Sequence, residues 1–159
     1  QLEAADPRAT PIHRLLEAVD AGADRLALDV AVAEVAATFS SIRTLGRDRT
    51  RPVRRAMEYL RDRVAEGVTL DELAAVAELD KFHLCRAFRA QIGMPPHAYL
   101  THLRISRAKE LLRRGTRPSE VAPLVGIYDQ AQLTRHFRRI VGTTPGRFGK
   151  EHATPGLAW

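Results

Sequence analysis

The chain has 159 residues, one cysteine and a formal net charge of +6, which is room for one sizeable domain with an appendage. The single thiol, Cys85, excludes an intramolecular disulfide framework and fits a reducing cytoplasm, and no run of 18 apolar residues is present to cross a membrane as a helix. The positive charge is local: residues 52–150 hold 18 Lys and Arg against 10 Asp and Glu, residues 1–51 hold 7 against 8, and Glu151 supplies the last charge. A confined basic excess is the electrostatic footprint of a phosphate-binding surface; its plainer explanation is a solvated surface that keeps the chain soluble.

Residues 1–10 are polar, contain Pro7 and open on Gln1, so we expect a frayed end or linker with a start region lost before it. Pro11 suits the first turn of a helix, and Ile12, Leu15, Leu16 and Val19 follow at helical spacing. Ala21-Gly22-Ala23 interrupts it, and Asp24 caps an Ala-rich helix through Leu26, Leu28, Val30, Val32, Val35 and Phe39 to about Ser40. That second helix is apolar around most of its girth, so neighbours from a partner subunit or a deleted domain are expected. Residues 41–51 read as a charged, flexible linker.

From Pro52 onward the pattern is helical, with no convincing period-2 strand. Val53, Met57, Leu60 and Val64 form one stripe that stops near Gly67. Thr69 and Glu72 have capping-box spacing for a short helix through Ala77. Asp80 caps a helix from Lys81 to Gln91, which Gly93 ends. Pro95-Pro96 opens a long helix to Gly115, about 18 residues and about 27 Å. Pro118-Ser119, a turn at Gly126, a helix from about Asp129 to Ile140, a stop at Gly142 and a last helix from Pro145 follow. Residues 151–159 read as a disordered tail.

The chain repeats once at an offset of 49 residues. Leu84, Arg86, Phe88, Arg89, Ile92, Gly93, Pro96 and Tyr99 return as Leu133, Arg135, Phe137, Arg138, Val141, Gly142, Pro145 and Phe148. Each copy reads as a helix-turn-helix. Stacked solenoids need three or more repeats, so two copies suggest two reading heads. In the first, Leu84, Phe88 and Ile92 turn inward, while Lys81, Phe82, Cys85, Arg86 and Arg89 face out. In the second, Leu133, Phe137 and Val141 turn inward, and Gln130, Ala131, Thr134, Arg135 and Arg138 face out. Arginine forks onto guanine O6 and N7, glutamine onto adenine N6 and N7, and threonine and alanine offer methyls to thymine.

Leu84-x-Arg86-x-Phe88-Arg89, Gly93, Pro96 and Tyr99, then Arg104, Ala108 and Leu111-Leu112, then Ala122, Gly126, Leu133-x-Arg135-x-Phe137, Gly142, Pro145 and Phe148 together resemble the AraC/XylS family of bacterial transcription regulators. The resemblance covers about Val53 to Lys150. It implies an all-α fold: two helix-turn-helix subdomains joined by a long linker helix, preceded by a short helical segment. The expected division is 1–51 as a helical remnant of a sensing and dimerisation domain plus linker, 52–150 as the tandem DNA-binding domain, and 151–159 as tail. Two recognition helices would enter successive major grooves of an asymmetric operator. Lys81, Phe82, Cys85, Arg86, Gln130, Ala131, Gln132, Thr134 and Arg135 are the expected base readers. Arg89, Arg138, Arg139, Thr143 and Thr144 are the expected phosphate contacts. Double-stranded DNA is the implied partner, with RNA polymerase and a second copy joined through residues 12–40 as further candidates. An effector would bind a barrel outside this chain, and activation is the commoner outcome in the family.

Three positions depart from the family pattern: Pro123 inside the first helix of the second copy, Ile127-Tyr128 after the turn glycine, and Cys85 at an outward position. Pro123 should kink or shorten its helix. Arg86 and Arg135 have a structural alternative, pairing with Asp80 or Asp129, and Arg104 reads as a structural tie between the halves. The six histidines show no metal spacing, no cofactor is expected, and no convergent acid–base cluster suggests an enzyme. The competing functions are a non-specific architectural DNA binder and a protein-interaction adaptor using residues 26–39.

Overall fold

The computed structural model describes residues 9–20, 22–39 and 50–153. Of the expected frayed end over 1–10, linker over 41–51 and tail over 151–159, residues 1–8, 41–49 and 154–159 lie outside them, while Ala9, Thr10, Thr50, Arg51, Glu151 and His152 are helical, which corrects those bounds. Among the described residues there are nine helices and no strand: α1 (Ala9–Asp20), α2 (Arg25–Phe39), α3 (Thr50–Asp62), α4 (Leu70–Ala77), α5 (Lys81–Ile92), α6 (Pro96–Arg113), α7 (Pro118–Leu124), α8 (Gln130–Val141) and α9 (Pro145–His152). They group into two compact units. One holds α1–α5 and α6 as far as Ala98; the other holds residues 63–66, α6 from Tyr99, and α7–α9.

In the first unit, α1 and α2 pack on each other across a turn at Gly22, whose φ is +59°. Asp24 starts α2 by accepting the Ala27 N–H at 2.9 Å. The sequence leaves α2 looking for neighbours, and its own chain supplies them. Leu26, Val30, Ala31 and Ala33 are buried, and α2 packs on α4 and α5 as well as α1. Leu16, Val19 and Val32 remain more than half exposed. The helix-turn-helix itself buries Val53, Ala56 and Leu60 of α3, Leu70, Leu73 and Ala77 of α4, and Leu84 and Phe88 of α5. Thr69 and Glu72 form the capping box: the Glu72 N–H donates to Thr69 Oγ1 at 3.2 Å, and the Thr69 N–H donates to Glu72 Oε2 at 2.9 Å.

The second unit has a core of Ile105, Ala108, Leu112, Val121, Ala122, Val125, Ile127, Leu133, Phe137 and Phe148. Phe137 and Phe148 meet edge-to-face at 5.3 Å between centroids, so the two repeat-derived phenylalanines fasten α9 to α8. α7 has seven residues against eight in α4, and Pro123 stays exposed on it. Gly126 has a φ of +74°, and a Cβ there would lie 2.6 Å from the Ala65 carbonyl oxygen. Only glycine admits both that backbone angle and that approach. Arg104 is buried in α6; its Nε donates to the Val64 carbonyl and its Nη2 to the Glu66 carbonyl, each at 2.9 Å. Both of these carbonyls belong to the second unit, so these bonds do not make the tie between the halves that the sequence suggests.

Candidate nucleic-acid interface

The repeat produces two helices of equal length with the same end chemistry. α5 starts at Asp80, which accepts the His83 N–H at 2.9 Å, and α8 starts at Asp129, which accepts the Gln132 N–H at 2.7 Å. Both stop at a left-handed glycine, Gly93 and Gly142. Asp80 also holds the His83 ring through Nδ1. Burial works to raise the Asp80 carboxyl, but hydrogen bonds from the His83 ring and backbone, and the ring's charge, outweigh it and hold the carboxyl below its ordinary value.

On α8 the outward surface is open. Gln130, Ala131, Arg135, Arg138 and Arg139 are exposed, and Thr134 is half-exposed with its hydroxyl donating to the Gln130 carbonyl at 2.8 Å. Arg139 Nη2 lies 3.1 Å from the His136 ring nitrogen. Gln132, an expected base reader, does not share that open surface: it is 9% exposed, and its Oε1 accepts the Tyr128 N–H at 3.2 Å, which braces the turn. At the far end, Thr144 caps α9 by accepting the Arg147 N–H at 3.2 Å, beside a half-buried Thr143.

On α5 the corresponding surface is partly covered. Cys85, expected outward, is 5% exposed. The cause is α2: Ala33, Glu34 and Ala37 line one cavity with Phe82, Cys85, Arg86 and Arg89. Burial first, then the nearby Glu34 charge, push the Cys85 thiol up to about 12, with Arg89 working the other way. Arg89, expected to meet a phosphate, has its Nη2 2.6 Å from Glu34 Oε1. Lys81 reaches Asp71 at 2.7 Å, and Phe82 is half-buried. Arg86 is exposed.

Residues 73–151 match a family model described as a helix-turn-helix domain. The HTH-type transcriptional regulator YbfI of Bacillus subtilis is 40% identical over 81 residues, which is 51% of this chain and 30% of that protein. An AraC-like transcription regulator of Streptomyces antibioticus is 34% identical over 101 residues, 63% of this chain and 33% of that one. The DNA-binding domain of AdpA, solved with a target DNA, superposes with a TM-score of 0.60 at 26% identity, covering 64% of this chain and 93% of that domain. The chain carries an AraC-type helix-turn-helix domain over residues 73–151. It spans about a third of the length of the curated relatives it matches.

Two residues carry no role in the sequence reading, Tyr128 of this AraC-type domain and Glu34 of α2. Tyr128 is 91% exposed immediately before the α8 cap. Its signal was the unusual Ile127-Tyr128 pair, in which the isoleucine goes into the core and the tyrosine goes out. Glu34 carried no signal, because its partner Arg89 is remote in the chain.

Proposed function

We propose that this chain is the DNA-reading part of an AraC-type transcription regulator, with α5 and α8 as recognition helices for successive major grooves of an asymmetric operator. The observation that carries this is the open face of α8: a capped helix with Gln130, Ala131 and Arg135 toward its N-terminal half and Arg138 and Arg139 beyond. Helix-turn-helix proteins present that half of the recognition helix to base edges. Gln130, Ala131, Thr134 and Arg135 are the base readers of the second head, with Lys81, Phe82 and Arg86 their counterparts in the first. Arg138, Arg139, Thr143 and Thr144 hold phosphates, the two threonines beside the N-terminus of α9. Because the outward residues differ between the copies while the core positions repeat, the two half-sites differ in sequence. A small-molecule effector, RNA polymerase contact, pairing with a second copy and a cytoplasmic setting belong to the whole regulator in this reading.

The test is selection of bound DNA from a random pool, followed by footprinting. A shared motif is expected, with protection in blocks about 10 bp apart on one face wherever both heads engage. Binding whose strength follows salt alone, with no motif, would make the chain an architectural binder. Self-association or protein capture with no shift of DNA would make it an adaptor.

A further inference from the structure

The duplication supplies an internal comparison for the first head. Phe82, Cys85 and Arg89 occupy the same helical positions as Ala131, Thr134 and Arg138, one offset of 49 apart. On α8, Ala131 and Arg138 are exposed and Thr134 half-exposed; on α5, Cys85 is buried and Phe82 and Arg89 are half-buried. The difference follows α2, whose Ala33, Glu34 and Ala37 sit on that face. Small residues at positions 33 and 37, one helical turn apart, let the α2 backbone come close. The cavity left between the helices is about 50 Å³, room for a few water molecules and far below the size of a ligand site. Glu34, 14% exposed, completes the contact by meeting Arg89 at 2.6 Å and Arg14 of α1 at 3.7 Å. Its carboxylate satisfies an arginine that DNA would otherwise bind, and residues 1–51 are net acidic against a basic 52–150.

We infer that the α1–α2 hairpin is an intramolecular cover for the first recognition helix, with the Glu34 carboxylate substituting for a DNA phosphate on Arg89. α2 and the major groove compete for one face of α5, so the first head binds DNA only when the hairpin lifts, while the second head is always available. This rests on the DNA reading proposed above. A chain whose competent form is a fraction of the total binds weaker by that fraction, so a face closed nine times in ten lowers first-head affinity about tenfold. Whatever displaces the hairpin, such as a movement of the segment before it, becomes the regulator of DNA affinity.

The experiment uses the full 159-residue chain and DNA selected by a loosened variant, Ala33→Gln with Glu34→Gln. Glu17→Gln, a change of equal charge at an exposed site on α1, controls for simple electrostatics. The loosened chain is expected to bind about tenfold tighter than the control, to add a protected block beside the wild-type one, and to lose that block alone on Arg86→Ala. Cys85 alkylation without DNA reports the cover directly and should speed up in the loosened chain only. Survival of the second-head block shows that the variant still folds; if the pair of changes abolishes it, Glu34→Gln alone is used. Equal blocks in wild type with no gain over Glu17→Gln overturn the cover and leave the DNA reading intact. Faster alkylation with no DNA binding by any variant overturns the DNA reading, and with it the competition.

Discussion

Arg104 offers the sharpest energetic test because two of its bonds are to backbone carbonyls. Arg104→Ala removes a charged donor from the Val64 and Glu66 carbonyls, both held at 2.9 Å, at a position only 5% exposed. Hydrogen bonds from charged groups contribute about 1.5–3 kcal/mol each, so losing both costs about 3–6 kcal/mol. That is a large share of the roughly 5–15 kcal/mol by which a domain is stable. With a urea slope of about 2 kcal/mol/M, the unfolding midpoint of the second unit falls by about 2 M. Arg104→Lys keeps the charge on one ammonium and cannot reproduce the two-nitrogen fork, so it should lose roughly half as much. Urea titration followed by far-UV circular dichroism reads all three chains. An alanine midpoint within about 0.5 M of wild type, or a lysine chain equal to wild type, would refute the two-carbonyl account of this arginine.

Gly126→Ala should destabilise by about 2–5 kcal/mol, from a left-handed backbone and an added Cβ 2.6 Å from the Ala65 oxygen that forces backbone shifts; thermal melting checks it. Asp129→Ala removes the α8 cap at a cost of about 1 kcal/mol, while Asp129→Asn, an equally good cap, should restore most of it. On DNA, Arg135→Ala should relax base choice at one position at a cost of about 1–3 kcal/mol. Arg138→Ala should weaken all sequences alike and lower the salt slope by about one. Wild-type behaviour of both at every salt concentration would remove DNA from that face. For Cys85, a folded value of about 12 lies above the ordinary 9.0, so the unfolded chain ionises first. The stability this thiol contributes is full below pH 9 and is lost as pH rises toward 12. Alkylation at pH 8 should accordingly be slow in the native chain and fast in urea.

Much of the domain was legible because its signals are short-range. Caps at Thr69, Asp80 and Asp129, stops at Gly93 and Gly142, and the inward trio of each repeat act within a turn or two of helix, so spacing alone reveals them. The family and the all-α architecture follow from those same positions. What spacing could not decide is how a residue on the border between faces is used. Gln132 lies beside the core leucine, and its amide turns back to the Tyr128 N–H; periodicity gives a direction for such a side chain but no partner. Pro123 is tolerated by a short helix on which it stays exposed.

The sequence by itself determined which segments are helical, which residues form each core, and that one reading scaffold occurs twice. Only the tertiary structure decided that the two copies are not equally open. Cys85 and Thr134 hold the same helical position, yet one is buried and the other half-exposed. The reason is α2, brought onto α5 by apolar burial and by the pairing of Glu34 with Arg89, two charges far apart in the chain. Local periodicity tells a helix which face is apolar; whether a polar face meets water, nucleic acid or another part of the same chain is set by contacts that only folding creates.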